Sequence, residues 1–461
     1  MITFPHLGQI TLKNSFTMIA WMAISGLLAN AAAPPSRPNI LVILSDDQGM
    51  NDVGCYGSEI PTPNLDRLAH EGLRFTQFYA ASSICTPSRF GLLTGRFAHR
   101  SIDRLTGALM FLSDDDANRG IRSSEITYAS MLKQVGYQTH LVGKWHLGHG
   151  EDQFWPTEHG FDTFFGHTGG CVDFFTCQYG NQPDWYRGKE LIETSSYATD
   201  VITDEAVRVI ENTDRRQPWY IHLAYNAPHF GKGFDEQTQA PVNVMQPKLA
   251  DLDKVSFIAD PLRRSFAAKV IGMDASIGRI LKALDKTQQA DNTLVIFMTD
   301  HGGDPKYGGS NQPFRGGKAT LFEGGLRVPC IVRWPGMTPA NSVTDQVGSM
   351  LDWFPTFAEI SGGKAPTHLD GQSLSPLITS RNEPSLSDHR PIVWITGSHA
   401  ELSRRSWRAI RSGRWKLIQA PDQTPMLFDV ADDPFESNNL ANIHPEIVER
   451  LQQEIKATTA E

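Results

Sequence analysis

Pro38-Asn39-Ile40-Leu41-Val42-Ile43-Leu44-Ser45-Asp46-Asp47 holds an unbroken apolar run closed by two carboxylates. Continuous rather than alternating hydrophobicity suits a strand buried on both faces, the situation of a parallel sheet covered by helices. Similar runs recur at His140 to Gly143, Trp219 to Tyr225, Thr293 to Thr299 and Val328 to Trp334. Between them lie helical patterns at Asn64 to Glu71, Ser123 to Val135, Tyr197 to Asn212 and Pro261 to Asp285. Within 197–212, Val201, Ile202, Ala206, Val209 and Ile210 make one apolar stripe. Strands alternating with helices predict an α/β fold: a large, mostly parallel sheet flanked by helices on both faces.

The texture changes near Arg390. Pro391 to Gly397, Trp407 to Arg411, Trp415 to Gln419 and Met426 to Val430 read as consecutive short strands, with a helix from Pro445 onward. That pattern predicts a smaller C-terminal α+β subdomain with an antiparallel sheet. The 461 residues are enough for one large core and such an appended unit. The expected division is 34–380 for the α/β domain and 381–461 for the subdomain.

Residues 1–33 read as a secretory signal peptide. Lys13 precedes an apolar run from Phe16 to Leu28, followed by Ala29-Asn30-Ala31-Ala32-Ala33 and Pro34-Pro35. The run falls short of the roughly 20 apolar residues of a membrane span. An exported protein is expected, periplasmic or secreted, with no stable membrane association after cleavage. The chain has no Asn-x-Ser/Thr acceptor, which leans toward a bacterial source. A net charge of −9 and a pI near 5.9 argue against a nucleic-acid surface. They leave an anionic substrate open, because local cations can override the global sign.

Two strand ends are acidic. Asp46-Asp47 closes the first strand and Asp300-His301 closes the strand Thr293–Thr299. Ligands in open parallel sheets gather beyond the carboxyl ends of strands, so neighbouring strands would bring three carboxylates and an imidazole together. Crowded carboxylates repel and raise one another's pKa, a conflict that a divalent cation resolves. Oxygen-rich ligation favours Ca²⁺ or Mg²⁺. Taken alone, Asp-Asp after a strand is more often a turn or helix cap.

The second notable stretch is Cys85-Thr86-Pro87-Ser88-Arg89-Phe90-Gly91-Leu92-Leu93-Thr94-Gly95-Arg96. Pro87 suits a first helical position, which would put Cys85 just before a helix N-terminus, where orphan N–H groups favour an anion. Arg89 adds a fixed positive charge one turn along. A lone cysteine is most often a small buried hydrophobe, and an acidic one suggests a thiolate nucleophile. No paired base is evident in the sequence, and a hard cation held by carboxylates prefers an oxygen at that position.

The dodecamer resembles the signature of the formylglycine-dependent sulfatase family, Cys-x-Pro-Ser-Arg followed by Leu-Thr-Gly-Arg. Gly143-Lys144-Trp145-His146-Leu147-Gly148 resembles a second family segment. Asn226-Ala227-Pro228-His229 and Arg315-Gly316-Gly317-Lys318 resemble two more. The resemblance implies an alkaline phosphatase-like fold and a sulfuric ester hydrolase. It implies that a formylglycine-generating maturation enzyme oxidises Cys85 to an aldehyde whose hydrate is the nucleophile. It assigns one Ca²⁺ to Asp46, Asp47, Asp300, His301 and oxidised Cys85. Arg89 helps ionise the hydrate, and Lys144 and Lys318 neutralise the sulfuryl oxygens. His229 protonates the departing oxygen, and His146 deprotonates the remaining hydroxyl. The substrate implied is a sulfated sugar or aryl sulfate.

Two other readings stay open. A phosphate or phosphonate monoester hydrolase of the same superfamily can share the metal-centred core. A non-catalytic glycan-binding protein would keep Cys85 unmodified. Of the five cysteines, Cys171 and Cys177 are close enough to pair, while Cys55 and Cys330 read as buried thiols. Phe174, Phe175, Tyr179, Trp185 and Tyr186 fall in a long loop and either stack on sugar rings or pack the loop.

Overall fold

Residues Asn39–Asp46 form the central strand of the sheet, and their side chains alternate between its two faces. Ile40, Val42 and Leu44 enter one apolar cluster, while Leu41 and Ile43 enter the other. This explains the unbroken run: with both faces covered, no residue from Ile40 to Leu44 meets water. The computed structural model describes residues 1–3, 37–111, 114–194, 196–379, 390–397, 406–420 and 423–459. Beyond its first three residues, the signal peptide expected over 1–33 lies outside these, as does the boundary between residues 380 and 381.

Among the described residues, ten strands form the main sheet. In spatial order they are Ser342–Thr344, Leu73–Phe75, Cys330–Arg333, Thr293–Thr299, Asn39–Asp46, Trp219–Pro228, Gln138–Lys144, Thr163–His167, Tyr186–Arg187 and Glu190–Leu191. The five from Thr293–Thr299 to Thr163–His167 run parallel. The run read from Val328 to Trp334 contributes Cys330–Arg333, antiparallel to both neighbours. It follows a long irregular segment rather than a crossover helix covering the sheet. Pro261–Lys286 and Ala198–Asn212 pack on the face of Leu41 and Ile43, and Cys85–Thr94 packs on the other.

A second sheet joins Ile392–Ile395, Arg408–Ser412, Trp415–Gln419 and Met426–Asp429, all antiparallel, before the helix Pro445–Thr459. Its apolar side continues the cluster that covers Ile40, Val42 and Leu44. A buried ion network adds to the joint. The Lys416 ammonium lies 2.9 Å from carboxylates of both Glu323 and Glu436, all three out of contact with water. All five cysteines are free thiols, so Cys171 and Cys177 are not paired. No helix among the described residues is long and apolar enough to cross a membrane.

Candidate active site

The parallel register sets the site. Ser45 pairs with Thr299, and Leu44 pairs with both Met298 and Ala224. Asp46-Asp47, Asp300-His301 and His229 therefore leave adjacent strands at one edge of the sheet. Lys144 ends the next strand over. It reaches that edge past Gly143, whose φ of +110° and closeness to the Ala224 carbonyl leave no room for a Cβ. The neighbour relation on which the acidic cluster depended is present.

Cys85 enters from the helix on the opposite layer. The helix spans Cys85–Thr94, with Ile84 as its N-cap, so Cys85 is the first helical residue rather than the one before it. Pro87 sits third. Its missing N–H still costs nothing, because the first four helical N–H groups have no intrahelical partner. The helix ends at Gly95, in the left-handed conformation, and every residue from 85 to 94 is buried.

Around the sulfur the groups are tightly packed. Cys85 Sγ lies 3.2 Å from His301 Nε2 and 3.7 Å from Asp46 Oδ1. His301 Nδ1 faces the Gly302 carbonyl at 3.0 Å, leaving Nε2 toward Cys85, Asp47 (3.3 Å) and Asp300 (3.7 Å). An imidazole thus does lie against the thiol, contrary to the sequence reading. Arg89 donates to Asp300 Oδ2 at 3.0 Å and to the Lys144 carbonyl at 3.2 Å. Lys144 Nζ contacts Asp46 Oδ2 at 2.5 Å, and Lys318 Nζ spans both Asp47 oxygens at 2.7 Å. The backbone N–H of Asp47, itself at φ +63°, donates to Asp300.

Burial and charge pull these groups apart in pKa. Burial works to raise Asp46, but Lys144, with help from His229, Arg89 and Lys318, holds it well below the usual carboxylate range. Asp47 is pushed up to about 8 by burial, against Lys318 and His301. Burial disfavours a charged His301, yet Asp300, Cys85 and Asp47 raise it to about 10. Burial opposes ionisation of Cys85, but Lys144 and Lys318 draw its thiol below the ordinary value. Burial, joined by nearby lysines, keeps His146 and His229 well below theirs.

A metal fits this donor set. Ligand atoms of Asp46, Cys85, Asp300 and His301 lie within 4.8 Å of one another, as do those of Asp46, Asp47, Cys85 and His229. The three carboxylates supply the hard oxygen donors that Ca²⁺ and Mg²⁺ require.

His146 stands at φ +57°, so the extended strand backbone stops at Lys144. Its Nε2 faces the Leu109 carbonyl at 2.9 Å, and its buried Nδ1 has no hydrogen-bond partner. Cys85, His146, His229 and Lys318 all line one cavity of about 370 Å³. The sequence singled out ten site residues, and all lie at this sheet edge or in this cavity.

Sequence comparison agrees with the geometry. The profile of the family described as Sulfatase matches residues 38–363. The chain belongs to the sulfatase family. A second profile, N-sulphoglucosamine sulphohydrolase, C-terminal, matches 316–461 of this sulfatase. Human N-acetylgalactosamine-6-sulfatase is 33% identical, the alignment covering 92% of this chain and 85% of the relative. Mouse arylsulfatase J is 29% identical over 91% of this chain and 75% of its own length. The structure of Ps i-CgsB in complex with k-i-k-neocarrahexaose superposes with a TM-score of 0.82 at 30% identity, covering 92% and 93% of the two chains. This sulfatase is a sulfuric ester hydrolase with the alkaline phosphatase-like fold.

Sequence reasoning missed Lys269. It is buried in the helix Pro261–Lys286, donates to the His229 carbonyl, and stands 3.4 Å from the centroid of the Phe174 ring. A lysine flanked by Phe266, Ala268 and Val270 was the available signal. Of the loop aromatics, Tyr179 lines the cavity, while Phe174 and Trp185 are packed in the core and Phe175 faces solvent.

Proposed function

We propose that this sulfatase removes sulfate from a sulfated carbohydrate, with Cys85 matured to formylglycine beside a calcium ion. The observation that carries the reading is Cys85 at a helix N-terminus, facing Asp46, Asp300 and His301 and lining an open cavity. A sugar substrate is supported by the relative named N-acetylgalactosamine-6-sulfatase and by the neighbour in complex with k-i-k-neocarrahexaose. Asp46, Asp47, Asp300 and His301 would hold the ion. When present, the aldehyde hydrate supplies an oxygen nucleophile, and the cation supplies positive charge beside it.

The chain's own residues account for the rest. Lys144 and Lys318 are fixed cations positioned for sulfuryl oxygens as charge shifts onto them. Their carboxylate partners hold them in place without a search through rotamers. His146 is neutral, with its Nε2 proton committed to Leu109 and its Nδ1 lone pair free, which suits a base. His229 is also neutral. Its Nδ1 donates to Phe230 at 2.8 Å, and its Nε2 faces the Lys318 ammonium at 3.1 Å. We therefore assign the leaving-group proton to the His229–Lys318 pair rather than to His229 alone. The signal at 1–33 and export of the chain belong to the same proposal.

Mass spectrometry of the tryptic peptide Phe75–Arg89, from protein made in its native host, tests the reading. The aldehyde in place of the thiol is expected. An intact thiol in active enzyme would overturn the formylglycine assignment. Turnover of a sulfated against a phosphorylated chromogenic ester tests the chemistry, and a strong phosphate preference would overturn it.

A further inference from the structure

Lys232 differs from Lys318, which lines the same Cys85 cavity, in how it is held. Lys318 is neutralised by Asp47. Lys232 Nζ instead donates to the neutral Asn243 Oδ1 at 2.7 Å and lies 5.4 Å from the Tyr179 ring centroid, with no ion pair among the described residues. The contact is built into the fold. Gly231–Asp235 and Ala240–Val244 form a hairpin directly after His229, with Lys232 opposite Asn243 in register. Asn243 Nδ2 in turn donates to the Tyr307 hydroxyl at 2.7 Å. The Tyr307 ring packs on Phe230, centroids 4.4 Å apart, and Phe230 packs on His229.

Tyr307 and Phe230 thus form an apolar part of the lining, linked through Asn243 to an ammonium with no ion pair among the described residues. Also on the lining, Tyr179 packs on Phe111 at 5.1 Å. The acidic residue on the lining, Asp304, accepts from the Lys306 backbone N–H at 3.0 Å. A sugar bound in this cavity with its scissile sulfate at Cys85 would have a further substituent available to Lys232 on the same lining. Lys232 is half-buried, and an ammonium with no carboxylate partner there favours an anionic substituent over a neutral one.

Resting on the sulfated-carbohydrate reading above, we infer that Lys232, fixed by Asn243 and Tyr307, binds a second anionic group of the substrate. The preferred substrate class is then a multiply anionic glycan, carrying either a second sulfate ester or a uronate carboxylate near the sulfate removed.

Calorimetric titration of the full-length Cys85→Ser chain in the presence of calcium separates these cases. The probes are galactosamine 6-sulfate, galactosamine 4,6-disulfate and a 6-sulfated disaccharide with a glucuronate neighbour. Either doubly anionic probe is expected to bind about tenfold more tightly than the monosulfate, and which of them does so identifies the second anion. Adding Lys232→Met should collapse that ratio toward one, and Lys232→Arg should retain much of it in a chain with the same melting temperature. A ratio near one before substitution, or a ratio untouched by Lys232→Met, overturns the inference and leaves the sulfatase reading standing. Failure of all three probes to bind would instead count against a carbohydrate substrate, and with it against this subsite.

Discussion

His229 Nε2 stands 3.1 Å from Lys318 Nζ, and the same ammonium spans both oxygens of Asp47 at 2.7 Å. Lys318 is therefore shared between a candidate metal ligand and a candidate proton donor. Replacing it with methionine would remove the proposed sulfuryl contact and the ammonium facing His229 in one step. We expect Lys318→Met to lower kcat/KM by about 10²–10³-fold, in line with loss of one preorganised electrostatic contact. His229→Ala should lower the same parameter, and the double variant should cost much less than the product of the two singles. Additive effects in steady-state kinetics would show that the two residues act separately.

His146 offers a different test, because its two nitrogens have different surroundings. The Leu109 carbonyl fixes the proton on Nε2, leaving the buried Nδ1 without a partner. Removal of such a base is expected to lower kcat by about 10²–10⁴-fold. If it acts after the alcohol has left, His146→Ala should release about one equivalent of alcohol per chain in a burst before slow turnover. Rapid-mixing measurements with an aryl sulfate check this. Slow alcohol release without a burst would place His146 in the first step.

The carboxylate cluster predicts dependence on a divalent cation. Asp46, Asp47 and Asp300 are buried together, and Asp47 is raised to about 8 with burial as the leading cause. Prolonged treatment with a chelator should abolish turnover and lower the melting temperature, since a ligand bound only by the folded state stabilises it. Calcium is expected to restore both better than zinc, given the oxygen-rich donors. Full activity after verified metal removal would refute the site.

Much of this was legible in the sequence, for a physical reason. A strand buried on both faces has to be continuously apolar, so Ile40 to Leu44 announced both itself and its covering layers. The acidic strand ends were visible as residues, but their meeting depended on Asn39–Asp46 and Thr293–Thr299 being neighbours, which no local pattern encodes. The start of the Cys85 helix was displaced because Pro87 is tolerated at any of the first few positions, not only the first. Val328 to Trp334 was legible as a strand but not its antiparallel direction, since apolar character carries none. Lys269 and Lys232 matched no motif. Their roles arise from what tertiary structure sets against them, the His229 carbonyl in one case and Asn243 in the other.

The network around Lys416 gives a prediction about stability. Its ammonium lies between Glu323 and Glu436 at 2.9 Å from each, with no exposure of any of the three side chains. Glu436 also accepts from the Glu323 backbone N–H at 2.6 Å. Lys416→Met leaves two carboxylates buried without their shared cation, which should cost about 3–5 kcal/mol. Burial works to raise Glu323, but Lys416, Arg327 and Arg411 hold it at about 2, below the ordinary 4.5. A depressed carboxylate stabilises the fold above its unfolded pKa, and that contribution is lost as the pH falls through the folded one. Glu436 is raised by burial and acts in the opposite sense, so the comparison has to isolate Glu323. Urea midpoints measured between about pH 5 and about pH 2 should fall less steeply in Glu323→Gln than in the native chain, from a lower starting value. Parallel profiles for the two chains would mean that Glu323 is not held in its charged form by this network.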